Sequence, residues 1–209
     1  MNKYFSSILL ITLLSGCIML PKSVTKPIDL NMTQVATIVE FIPHQGDTKF
    51  ANWLGMNLPF EPFNKLRINL ETRLETKLTN RGEAHITVIT PPEYDNIISK
   101  HLSITEIQKI ALSENIQKSK IEPVCLGQGT ANIDGRTEST WFIVVRSDDL
   151  VMIRQKIKEA FIKKGGNPNE FIPTNYYPHI TLGYSKRDLH ESDGIIKNAD
   201  SCKIPINSF

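Results

Sequence analysis

Two tetrads constrain this chain more than anything else in it: His85-Ile86-Thr87-Val88 and His179-Ile180-Thr181-Leu182. Each sits in a short β-branched run with turn or proline signals nearby, and so predicts a strand. On a strand, residues two apart share a face. His85 and Thr87 therefore point one way while Ile86 and Val88 point into packing; His179 and Thr181 stand likewise against Ile180 and Leu182. With five histidines in the chain, a lone His-x-Thr is expected roughly 0.4 times, and two copies with this apolar pattern about once in several hundred chains. One imidazole and one hydroxyl thus recur in each half of the chain. The plainer reading is two strands whose polar faces chance to carry these residues.

The length of 209 residues and the 40% hydrophobic content allow one medium domain with a real core. A formal net charge of +2 provides no large basic field for long nucleic acid, and no acidic block marks a disordered tail. The bias lies at the N-terminus. Lys3, the apolar run over 8–14 and the small Ser15-Gly16 make residues 1–16 a signal peptide, too short to span a bilayer. Leu14-Ser15-Gly16-Cys17 resembles a bacterial lipobox, which implies acylation of Cys17 and a lipid-anchored protein of the bacterial cell envelope. Ile18 rather than an aspartate follows the cysteine, which by the same resemblance favours the outer membrane where a cell has two. A plain secretory signal and a buried N-terminal helix are the alternatives. Residues 17–32, with Pro21 and Pro27, read as a tether, and 33–209 as the domain.

Within the domain a first strand is expected over 34–42, then a loop-rich stretch over 43–62 of lid or rim character that holds His44. Leu66, Leu70, Leu74 and Leu78 mark an amphipathic helix over 63–80. The first tetrad's strand follows, then helices over 95–101 and from Ser103 to about residue 118. The second half repeats the theme. It has a strand pair over 121–129 and 139–147 around Asp134-Gly135, a helix over 148–164 capped by Asp148-Asp149, the second tetrad and one last strand near 202–206. Helices mixed with adjacent strands fit an α+β fold with antiparallel sheets. In an oxidising envelope Cys125 and Cys202 could pair; a buried free thiol at Cys125 is equally consistent. No Cys-x-x-Cys or His-Glu-x-x-His spacing provides a metal site.

The two tetrads, with Arg81-Gly82-Glu83-Ala84 before the first and Pro178 before the second, resemble the two-histidine (2H) phosphoesterase superfamily, which includes the LigT-like RNA cyclic phosphodiesterases. The resemblance implies a bilobal fold in which two antiparallel sheets with outer helices enclose a central cleft floored by the tetrad strands. It covers about residues 33–206, with one departure: Gly183-Tyr184 stands where several relatives carry a basic residue. It implies His85 and His179 as catalytic residues, Thr87 and Thr181 as ligands of the substrate phosphate, and a substrate that is a 2′,3′-cyclic nucleotide or RNA end. A monomer is expected, with the membrane as partner through lipidated Cys17.

The residue types make chemical sense on their own. In-line displacement at phosphorus needs a base on the attacking oxygen and an acid on the leaving oxygen. Histidine titrates near enough to neutrality to serve as either. Two hydroxyls can bond the non-bridging oxygens without adding charge. The scheme requires no metal or nucleotide cofactor, and it leaves open which histidine is the base. Tyr177, two residues before His179, could stack on a base or bond a phosphate, or simply pack at the head of its strand. A non-catalytic nucleotide- or phosphate-binding lipoprotein and a structural lipoprotein with relic motifs are the competing functions.

Overall fold

The computed structural model describes residues 25–209, so the signal segment and Cys17 lie outside the described residues. The strands are β1 (Ile28–Leu30), β2 (Leu54–Leu58), β3 (Ala84–Ile89), β4 (Glu122–Ile133), β5 (Arg136–Arg146), β6 (His179–Tyr184) and β7 (Cys202–Ser208). The helices are α1 (Met32–Val35), α2 (Phe60–Leu74), α3 (Pro91–Asn96), α4 (Ile104–Ser113) and α5 (Asp148–Lys163). Five strands form one sheet in the order β1-β7-β4-β5-β6, and β2 and β3 form a second. All pairs are antiparallel except β1 with β7. The α+β class with two sheets is as expected.

Local chemistry explains most boundaries. Ser103 and Glu106 close a capping box on α4, and Thr90 and Glu93 another on α3. Ser147, rather than the expected aspartates, caps α5; Asp148 and Asp149 occupy its first turn, where the helix dipole favours them. From Cys125 and Val144 the β4–β5 ladder runs without a shift to Ile133 and Arg136 around Asp134-Gly135, whose φ angles of 50° and 76° form the tight two-residue turn that suits strand twist. The hairpin is therefore longer in its strands, and shorter in its loop, than expected.

Several expectations need correction. The stretch over 43–62 expected to be loop-rich contains β2, and the helix expected over 95–101 starts earlier, as α3 from Pro91. The strand expected over 34–42 is absent: α1 and a ladder-free stretch take its place. Gln117 and Asn57 side chains bond Val39 O and Ile42 N there, so side chains replace strand pairing for this β-branched run. The first strand lies earlier, inside the stretch read as tether: Ile28 and Leu30 are buried against β7, and their period-2 apolar pattern outweighs the flanking prolines. The α2 helix stops at Leu74 because Glu75 turns left-handed. The Glu71 carboxylate then accepts from Leu78 N, drawing the chain back over the helix.

One core joins both sheets and includes Ile86, Val88, Ile180 and Leu182, the apolar members of both tetrads. Cys125 and Cys202 form a disulfide between β4 and β7, with Cα atoms 5.7 Å apart. No helix of the described residues is long and apolar enough to cross a membrane.

Candidate active site

Both tetrads lie on strands with the expected alternation. His85 and Thr87 are half-buried between buried Ala84, Ile86 and Val88, and His179 and Thr181 between buried Ile180 and Leu182. Each strand also carries the same irregularity. Thr87 pairs with Gly55 but Ile89 with Leu54, so Val88 is an extra residue. Thr181 pairs with Phe142 but Gly183 with Trp141, so Leu182 is an extra residue. A one-residue bulge thus follows the threonine in both tetrads, bending the strand and re-aiming the residues beside it. Side chains take up both carbonyls: Arg154 Nη1 donates to Val88 O and Asn80 Nδ2 to Leu182 O, each at 2.7 Å.

The tetrad strands come from different sheets and pack against each other. Thr79 N donates to Tyr184 O at 2.8 Å and Tyr184 N to Thr79 O at 3.0 Å, tying the approach to β3 onto the end of β6. This contact accounts for Gly183: a Cβ there would stand 2.8 Å from Leu78 Cβ and 2.9 Å from Thr79 O. Of the pair Gly183-Tyr184, where the resemblance leads one to expect a basic residue, position 183 is closed to any side chain and Tyr184 lines the cavity.

The two imidazoles have different surroundings. His179 Nδ1 lies 2.8 Å from the carbonyl oxygen of Tyr177. A carbonyl only accepts, so this nitrogen carries hydrogen and the lone pair of the neutral ring is on Nε2. Burial, helped by the Lys197 ammonium, holds this imidazole down to about 3 against that hydrogen bond. His85 Nδ1 faces Glu83 Oε1 at 3.5 Å, an ion-pair separation that is not a hydrogen bond. Its ring is backed by Trp53 at 4.8 Å, and Trp53 stacks on His44 at 3.5 Å. Gly55 is required here, since a Cβ would meet the Trp53 ring at 2.6 Å. Burial, then Arg81 and His44, holds His85 down to about 4. Both rings are therefore neutral at pH 7 in the free protein.

A cavity at the junction of the sheets is walled by His85 and Arg81 from the β3 side and by Thr181, Tyr184 and Asp188 from the β6 side. It brings together His85 and Thr181. His179 and Thr87 share the faces of those residues without lining this cavity, and the half-exposed Tyr177 contributes its carbonyl to His179 rather than its ring to the wall. Arg81, exposed and without a hydrogen-bond or ion-pair partner among the described residues, is the free cation on the wall. In the sequence Arg81 stands out only within a run that resembles the family, and no spacing links Asp188, Lys197, Trp53 or Asn80 to the tetrads. Among the described residues no group of three or more His, Cys, Asp or Glu is placed to hold a metal ion.

An α+β fold whose two sheets each present a His-x-Thr strand at a shared junction, with an arginine at hand, is built for chemistry on a phosphate ester. A family model described as "Swiss Army Knife, 2H phosphoesterase domain" matches residues 52–190, a span that holds both tetrads. The chain belongs to that family, and with it to the hydrolases of phosphodiester type. No curated protein and no solved structure matches it.

Proposed function

We propose that this protein hydrolyses a cyclic phosphodiester, a 2′,3′-cyclic nucleotide or the cyclic phosphate end of an RNA, by metal-independent acid–base catalysis between His85 and His179. The observation that carries this reading is the meeting of two equivalently bulged His-x-Thr strands, from separate sheets, beside one cavity. His179 acts as the base: with Nδ1–H held by the Tyr177 carbonyl, Nε2 takes a proton from water as its oxygen attacks phosphorus. His85, whose Nδ1 faces the Glu83 carboxylate at 3.5 Å, is the acid that protonates the departing ribose oxygen. One P–O bond forms, one breaks, and the proton taken by one ring is matched by the proton released from the other. Thr87 and Thr181 donate to the non-bridging oxygens, Thr181 by turning its hydrogen from Asp188 to the phosphate, and Arg81 adds charge where Gly183 cannot. We assign the exposed Tyr177 ring, near the head of the His179 strand, to contact with the nucleoside.

The test is turnover of 2′,3′-cyclic AMP and linear diesters by the purified full-length chain in EDTA. His85→Ala and His179→Ala should each cost about 10²–10⁴-fold with the circular dichroism unchanged. Activity that survives either change would remove the mechanism. His85→Ala should lose far less on a diester whose leaving group is 4-nitrophenol, which needs no acid, whereas His179→Ala should not be spared. Binding of the nucleotide without product would favour capture over catalysis. We further place the domain at the cell envelope through lipidated Cys17; Cys17→Ser should release it from the membrane fraction.

A further inference from the structure

Polar side chains from four parts of the chain converge beneath the second tetrad. Asp188, which follows β6, and Lys197, which precedes β7, are 7% and 3% exposed. Lys197 Nζ donates to Asp188 Oδ1 at 2.8 Å and, more loosely, to Thr181 Oγ1 at 3.4 Å. Thr140 on β5 donates to Asp188 Oδ1 at 2.7 Å, and Thr181 donates to Oδ2 at 3.2 Å. His190 Nε2 stands 4.0 Å from the same Oδ2. Lys197 also lies 5.4 Å over the Phe142 ring, which meets the His179 ring edge-on at 5.9 Å.

Withdrawing a lysine and an aspartate from water costs several kcal/mol per ion, and an apolar pair of similar volume often holds a fold as well. The location of the pair gives it another use. Asp188 lines the cavity beside His85 and Thr181. A carboxylate there accepts the Thr181 hydrogen in the free protein and so fixes Oγ1 at the wall; when substrate enters, that hydrogen turns to the phosphate while the Lys197 ammonium stays on both Oγ1 and Asp188. Alone, the carboxylate would also repel a phosphate. We propose that Lys197 is a positioning residue for this reaction: it cancels the charge of Asp188, so that Asp188 can orient Thr181 without turning an anionic phosphodiester away. The inference rests on the phosphodiester reading above, yet Lys197 lies beyond the span matched by the family model.

Charge cancellation and simple packing predict opposite effects for one variant. Asp188→Asn removes the anion and leaves Lys197 in excess. It should bind 3′-AMP more tightly in calorimetry and lower KM for 2′,3′-cyclic AMP by about threefold or more, while kcat falls about tenfold as Thr181 loses its anchor. Lys197→Met should weaken 3′-AMP binding by about tenfold or more, and Lys197→Met with Asp188→Asn should return it to within about threefold of wild type. Weaker or unchanged anion binding by Asp188→Asn would overturn the proposal, as would a double variant no better than Lys197→Met. Should Lys197→Met fail to fold, Asp188→Asn and the double variant decide. A wild-type chain that binds 3′-AMP but turns over no cyclic phosphodiester defeats the functional reading alone, since the binding series still measures the cancellation. A wild-type chain that binds no 3′-AMP defeats the inference.

Discussion

Asn80 Nδ2 donates to the carbonyl oxygen of Leu182 at 2.7 Å, so a residue that leads into the first tetrad strand holds the bulge that ends the second tetrad. Its Oδ1 accepts from Gly82 N at 2.6 Å, fixing the turn that carries Arg81. Asn80→Ala leaves a half-buried carbonyl unmet, at a cost of about 1–3 kcal/mol. The unfolding midpoint should fall accordingly. Turnover should drop about tenfold or more, because Thr181 and Arg81 both lose their reference point. A variant that loses stability but keeps full kcat would show that the bulge does not position the site.

Arg154 on α5 is the counterpart that holds the bulge of the other strand, and it is fully buried. Besides Val88 O it bonds Pro173 O at 2.8 Å and pairs with Glu93 at 2.7 Å, its guanidinium lying between the rings of Phe171 and Tyr176. Arg154→Met takes the donor from four carbonyls, of Val88, Ile172, Pro173 and Asn175, and leaves Glu93 with only its capping contacts to Thr90. Breaking a buried pair from one side costs about 3–5 kcal/mol, so denaturant unfolding should register a loss of that order. A change under about 1 kcal/mol would contradict the satisfied network.

Arg81 makes the opposite prediction. As an exposed cation without a partner among the described residues, it contributes little to the fold. Arg81→Met should leave stability within about 0.5 kcal/mol of wild type. It should raise KM for the anionic substrate and flatten the dependence of kcat/KM on ionic strength. Unchanged KM and salt dependence would remove Arg81 from the site.

The pH dependence of activity follows from burial. The productive free enzyme has one of the two imidazoles charged and the other neutral, and the two are held to about 4 and about 3. That form is lost as pH rises past the higher value, so kcat/KM should fall about tenfold per unit above pH 5. A bell centred on neutrality would mean that the imidazoles are not desolvated in the free protein.

Stability should move the other way with pH. The unfolded chain binds protons at these histidines near pH 6.5 and the folded one does not until about pH 4. Stability is complete above 6.5 and is lost as pH falls through that window, by roughly 3 kcal/mol for His85. Asp188, held to about 2 where Lys197 and its hydrogen bonds outweigh burial, is lost only at lower pH, below its unfolded value. Urea midpoints at pH 7 and pH 4.5 should therefore converge in His85→Gln relative to wild type.

Much of this protein was written in local patterns. The alternation of His-Ile-Thr-Val and His-Ile-Thr-Leu determined both strands, their buried faces and the pairing of an imidazole with a hydroxyl, because side-chain direction along a strand depends only on neighbours two residues away. The capping boxes at Thr90 and Ser103 were equally local. Patterns failed where a distant group satisfied the backbone: Gln117 and Asn57 took the place of a ladder over 34–42, and β7, at the far end of the chain, turned Ile28–Leu30 into a strand. The tertiary structure alone brought the two tetrads to one junction and closed position 183 to a side chain. It also set Asp188 and Lys197 under Thr181 and joined Cys125 to Cys202. These are contacts across sheets and loops, and their energy depends on distance in space, which no spacing along the chain encodes.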